Sequence, residues 1–217
     1  PIGIRLQKED IDSYDLSKPK LDDIWKEIAS TPVTKRILLI DMRVIDDPIA
    51  SSHDIRSFIN KFNKDFKVEI ISTSGSIIPE NIATLIATDT KIHVTRNEFT
   101  MWKSLTNHSE CSEFVYGDYG VVSPNYSDLD LDPSLMNGVS TPKAFYAYQD
   151  QFYVCRGRRF KTHGYDQYFD IADDITGQSF FRGLGYSYGD GYIYDRRRSS
   201  TTKPAKGGSP GSWIKSL

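Results

Sequence analysis

Within the first 120 residues, apolar runs of strand length alternate with segments whose apolar residues recur at helical spacing. That alternation constrains the fold more than any other feature. PIGIRL (1–6), RILLIDMR (36–43), KVEIIST (67–73), KIHVTR (91–96) and EFVYGDYG (113–120) read as strands. Between the first two, Leu21, Ile24, Trp25 and Ile28 make one apolar helical face, with Pro19 suited to an early helical position. Ile55, Phe58, Ile59 and Phe62 repeat the spacing, with Ser51 or Ser52 as N-cap. PENIATLIAT (79–88) and NEFTMWKSL (97–105) complete a β-α-β-α-β-α-β-α-β order. Parallel strands joined by right-handed helical crossovers follow from it.

Five such strands suit an open doubly wound sheet or part of a (β/α)₈ barrel. Polar residues punctuate the C-terminal strand ends: Arg5, Asp41 with Arg43, Ser72 to Ser74, Arg96 with Glu98, and Tyr116 with Asp118. In a parallel barrel those ends meet on one face, where sites are built, whereas an open sheet brings only its switch-point strands to a ligand. The fold expected is therefore α/β: a partial (β/α) barrel of parallel strands, TIM-barrel-like, followed by an aromatic-rich α+β C-terminal segment. Arg5, Arg43, Ser72, Ser74, Arg96 and Tyr116 are candidate ligand contacts, with Asp41, Asp118 and Glu98 as candidate catalytic carboxylates. The plainer alternative is that strand ends are polar because solvent begins there. Ser72 to Ser76 before Pro79 suits a phosphate-cradling loop, but matches neither a Walker pattern nor GxGxxG.

Charge divides the chain more sharply than its net −2 suggests. Residues 1–140 hold 15 basic and 22 acidic residues, and residues 141–217 hold 12 and 7, with 16 of the 27 aromatics. The turn-rich stretch NYSDLDLDPSLMNGVSTP suggests a linker over 125–142, between barrel strands at 1–124 and a C-terminal subdomain at 143–217. STTKPAKGGSPGS (200–212) reads as a flexible loop. No apolar run approaches the roughly 20 residues needed to span a bilayer. Cys111 and Cys155 give no disulfide framework, and the four histidines are scattered, so no metal site is indicated. Two free thiols and no signal segment point to the cytoplasm. Pro1, inside an apolar run, suggests a fragment that begins within a domain.

Three blocks carry a more specific signal: EFVYGDYGVVSP (113–124), YVCRGRRFKTHGYDQYFDIADDI (153–175) and FFRGLGYSYGDGYIYD (180–195). Their key residues are Gly117-Asp118-Tyr119, Arg156-Gly157, Gly164 to Gln167, Gly189-Asp190 with Tyr192-Ile193, and Gly211 with Trp213. In this order they resemble the Beta protein family of phages, satellite phages and bacterial mobile elements, closely over 113–217 and loosely before. The resemblance implies a barrel-like architecture, a further N-terminal portion and a setting in phage-exclusion or antiviral defence loci. It carries over no catalytic residue and no cofactor.

Arg156, Arg158, Arg159, Arg196, Arg197 and Arg198 interleave with aromatics, a pattern that suits single-stranded nucleic acid. The same alternation in FYVCR and YIYD describes a half-buried hairpin, so YVCRGRRF and GYIYDRRR are expected as strands. A helix over 164–176 should bury Tyr168, Ala172 and Ile175. His163 has no evident partner and reads as structural before catalytic. The function indicated is a ligand- or partner-binding component of an exclusion system, the partner encoded by a neighbouring gene. The competing readings are a barrel enzyme acting on a phosphorylated or nucleotide substrate, and a nucleic-acid binder.

Overall fold

The computed structural model describes residues 1–62, 69–75, 86–118 and 141–199. The chain divides into two compact units, Pro1–Glu80 with Arg96–Tyr126, and Asn81–Thr95 with Ser127–Leu217. In the first unit, β1 (Ile2–Gln7), α1 (Lys8–Asp12), α2 (Tyr14–Ser30), β2 (Arg36–Val44), α3 (Pro48–Lys61) and β3 (Glu69–Gly75) follow in order. After an excursion into the second unit come α4 (Asn97–Thr106), a 3₁₀ turn at Ser109–Cys111 and β5 (Val115–Asp118). The four strands β1, β2, β3 and β5 lie parallel in that spatial order.

Strand alternation gives this sheet two distinct faces. Leu38, Ile40 and Met42 are fully buried and join a core with Trp25, Ile28, Ile55, Phe58, Ile59, Met101 and Leu105. Among the described residues, the helices that pack on this sheet therefore meet the same strand face. Helix starts differ from the sequence reading. Asp47 is the N-cap of α3, its carboxylate accepting from the Ile49 and Ala50 amides at 3.0 Å, with Pro48 opening the helix. Ser51 and Ser52 lie one turn inside. Pro19 sits in the second turn of α2, which begins at Tyr14.

Of the five strands expected to lie parallel, KIHVTR (91–96) is corrected. β4 (Thr90–Thr95) belongs to the second unit, where it pairs antiparallel with β7 (Gln151–Arg156), itself paired with β6 (Lys143–Tyr148). Its residues alternate half-buried and exposed, whereas no residue of β2 is exposed; β1 of the parallel sheet alternates in the same way, so the pattern by itself does not say which sheet a strand joins. Among the described residues the parallel sheet is open, with β1 and β5 at its edges.

The second unit continues with α5 (Phe160–His163), α6 (Gln167–Thr176) and α7 (Tyr188–Asp195). Its core holds Tyr146, Tyr153, Cys155, Phe160, Tyr168, Ile171, Ala172, Ile175 and Ile193. YVCRGRRF contributes β7 as expected, but GYIYDRRR is helical up to Asp195. Ser187 caps α7 by accepting from the Asp190 amide, the Ser-x-x-Asp arrangement that starts a helix. The 79–85 part of the expected helix, residues 125–140 of the expected linker, the 200–212 loop and Gly211 with Trp213 lie outside the described residues.

Tyr168 is 8% exposed and packs beside Phe160. Tyr168→Ala is expected to destabilise the protein by about 3 kcal/mol in urea unfolding followed by circular dichroism. Tyr188, 78% exposed, should tolerate the same change within about 0.5 kcal/mol.

Candidate functional site

Two polar clusters form at the C-terminal ends of the parallel strands. The first is built on Asp41, which is fully buried on the face of β2 opposite the helices. The Arg5 guanidinium donates to Asp41 Oδ2 through Nε at 3.0 Å and also through Nη2. The Arg43 backbone amide donates to Oδ1 at 2.9 Å. Arg43 has φ 53° and sits where the β2–β3 register shifts between Asp41 and Val44, so a bulge places it. A left-handed non-glycine residue is strained, and the Asp41 carboxylate holds the turn from within. The Arg43 side chain donates to Gln7 Oε1 at 2.5 Å and lies 3.5 Å from Glu9. The Arg5 and Arg43 side chains are 52% and 40% exposed.

The second cluster gathers around Arg96. Its Nε donates to Glu98 Oε1 at 3.2 Å and its Nη2 to the Tyr116 hydroxyl at 2.7 Å. Tyr116 donates onward to Asp118 Oδ2 at 2.6 Å, and Arg96 lies 3.6 Å from that carboxylate. The guanidinium also faces the rings of Phe99 and Tyr116 at 4.8 and 5.7 Å. Glu98 is buried in the first turn of α4. Burial first, then the bond to Asp118, pushes the Tyr116 hydroxyl well above its ordinary pKa, so it stays a donor.

The strand register separates the two clusters. Asp41 pairs with Thr73 and Thr73 with Gly117, which puts Asp118 one residue beyond that row and on the other face. Ser72 and Ser74 lie on β3, their Cα atoms paired with Tyr116 and Asp118. Of the candidate residues, Arg5, Asp41 and Arg43 come together, and Arg96, Glu98, Tyr116 and Asp118 come together. Gln7 was not singled out from sequence. The pattern Gly3-x-Arg5-x-Gln7 on one strand face is the signal that would have found it.

The arginines of the second unit serve largely as internal ties. Arg156 donates to the Ile86 carbonyl at 2.6 Å and to Thr141 at 3.3 Å. Arg158 pairs with Asp89, and Arg198 with Asp170. Arg196 and Arg197 lie over the rings of Tyr192 and Tyr194 at 4.1 and 3.4 Å. Arg159 is exposed beside the start of α5. Asp190 is buried and accepts from Tyr146 at 2.6 Å and from Ser187 at 2.5 Å, with Arg182 3.6 Å away. Gln167 accepts from the Arg158 amide at 2.7 Å and donates to the Arg158 and Gly164 carbonyls. A Cβ on Gly157 would come 2.6 Å from Pro142 and 2.9 Å from Gln167 Oε1, so only glycine fits. His163 is exposed. Among the described residues no group of three or more His, Cys, Asp or Glu side chains is placed to hold a metal ion, and no helix is long and apolar enough to cross a membrane.

Two predictions follow from these environments. Arg5→Gln leaves a fully buried carboxylate short of its counter-ion. Breaking a buried pair costs about 3–5 kcal/mol, and the half-exposed guanidinium reduces this, so a loss of about 2 kcal/mol is expected in chemical denaturation. The Cys155 thiol is pushed up to about 12, by burial first and then by Asp174. It should therefore resist iodoacetamide at pH 8 in the folded protein and react on unfolding, as read by peptide mass spectrometry.

A family model described as Beta protein matches residues 1–216. The likeness thus extends through the whole first unit, beyond the 113–217 stretch where the motifs are densest. No curated protein and no solved structure matches the chain. By the extent of that match, from the first strand to the penultimate residue, the chain belongs to the Beta protein family.

Proposed function

We propose that this protein is a ligand-binding component of a phage or mobile-element exclusion system, acting in the cytoplasm alongside a neighbour-encoded partner. Its ligand site is the Arg5–Asp41–Arg43 cluster, and the ligand is anionic. The observation that carries this reading is the division of labour around Asp41. One enclosed carboxylate fixes the Arg5 guanidinium and the Arg43 backbone, while both guanidinium groups remain substantially exposed on one sheet face. Glu9 is 66% exposed, and an exposed pair of this kind contributes little, so an anion can displace it from Arg43. Two guanidinium groups offer forked donors matched to phosphate or carboxylate oxygens.

The sheet order supports an arc of a (β/α) barrel. Strands β1, β2, β3 and β5 follow one another without the reversal that marks a doubly wound sheet, and their helices pack on one face. In a barrel the opposite face, which carries Arg5 and Asp41, is the inner one.

Isothermal titration with inorganic phosphate and with citrate tests the site. Arg43→Gln, which leaves the Arg5–Asp41 pair in place, should weaken binding at least tenfold, about 1.4 kcal/mol. Equal affinity for the variant and the parent protein would sink the reading. Hydrolysis of a phosphate ester that depends on Asp118 or Glu98 would instead establish an enzyme.

A further inference from the structure

The second unit contains an open cleft of about 390 Å³ that has no part in the reading above. Lys91, Arg158, His163 and Gln167 stand among its polar walls, and Ile171 adds apolar surface. We propose that this cleft binds a small phosphate monoester, with the phosphate held by Arg158 and Lys91 and the organic body lying against Ile171.

The volume falls in the range of small-molecule sites, and the mixture of an apolar wall with a few polar groups is characteristic of them. Arg158 is unusual in being fixed at its backbone and exposed at its tip. Gln167 grips its amide and its carbonyl, and the preceding Gly157 is packed so tightly against Pro142 that no side chain fits there. The Gly157 amide donates to the Pro142 carbonyl at 2.9 Å. The Gly157 and Arg158 amides are thus already used, and a ligand here is held chiefly by side chains.

Arg158 and its partner Asp89 are 53% and 55% exposed. A pair open to water on both sides is weak, so a dianion can replace Asp89 and take the guanidinium fork. Lys91 is tied to Asp174, a carboxylate that also accepts from Tyr153 at 2.6 Å and from the Cys155 thiol at 3.8 Å. An ammonium has three donors, and one bond to a shared carboxylate leaves capacity for a phosphate oxygen. Asp170, the other acid of the cleft, is paired with Arg198, which does not line it. Lys91, Arg156 and Arg158 against Asp89 and Asp170 leave the lining with one positive charge in excess, which favours an anion.

The test is calorimetric titration of the full chain carrying Arg43→Gln, which weakens the anion site of the first unit, so that the remaining binding is assigned by the second-unit variants below. A nucleoside 5′-monophosphate is compared with the same nucleoside lacking phosphate and with inorganic phosphate. The monophosphate should bind at least tenfold more tightly than either. Arg158→Gln should weaken it at least tenfold, Arg158→Lys should restore part of the loss, and Asp89→Asn should tighten binding severalfold by releasing Arg158. Melting temperatures of all variants confirm that the unit is folded. Unchanged affinity in Arg158→Gln, weaker binding in Asp89→Asn, or equal binding of the nucleoside overturns the proposal. Equal response to a carboxylate of matching size also overturns it in favour of a general anion site.

Discussion

Removing a carboxylate from water is tolerable only where charge and hydrogen bonds replace the lost hydration. Asp41, enclosed on the sheet face opposite the helices, meets that requirement with two neighbours at once. The Arg5 guanidinium supplies charge from the adjacent strand, and the Arg43 amide supplies a donor from two residues on. The arrangement fixes more than itself. It closes the bulge that puts Arg43 in a left-handed conformation, and it sits in the row that pairs Gln7, Asp41, Thr73 and Gly117 across the sheet. The polar geometry of this sheet face is organised around this one buried acid.

In the second unit the residues that give the chain its family signature act chiefly as architecture. Gly157 is required by close packing, Gln167 closes the turn after β7, and Asp190 joins Tyr146, Ser187 and Arg182 beneath α7. A motif dense in arginine and tyrosine invites a recognition reading from sequence. Here most of those groups are first engaged with one another, and burial pushes the Tyr146 and Tyr153 hydroxyls up so that they remain donors to Asp190 and Asp174.

The elements with clean periodicity were legible in the sequence. Ile55, Phe58, Ile59 and Phe62 are buried as their spacing implied, and RILLIDMR is the strand that a continuous apolar run suggests. The partnership of β4 was not. A local pattern reports a strand's two faces but not which other strand satisfies its amides, and β4's partner lies some sixty residues away. GYIYDRRR misled for a related reason: tyrosine favours strands, and a short alternation hid the Ser187-x-x-Asp190 cap. The strand-end residues were found because parallel topology gathers them, whereas their division into two clusters depends on register, which one-residue offsets decide.

The placement of β4 bears on how the chain assembles during synthesis. Thr90 pairs with Arg156 and Thr95 with Gln151, so this strand leaves the ribosome well before the partner that completes its ladder. The intervening residues include α4 and β5 of the first unit. A nascent chain must therefore hold an unpaired, half-apolar strand in reserve while the surrounding segments emerge. Such a strand is exposed to mispairing until its partner arrives. The exposed Lys91 and His93 alternate with Ile92 and Val94 and break up its apolar surface during that interval. Exposed polar and charged residues at such positions disfavour pairing with a wrong strand edge.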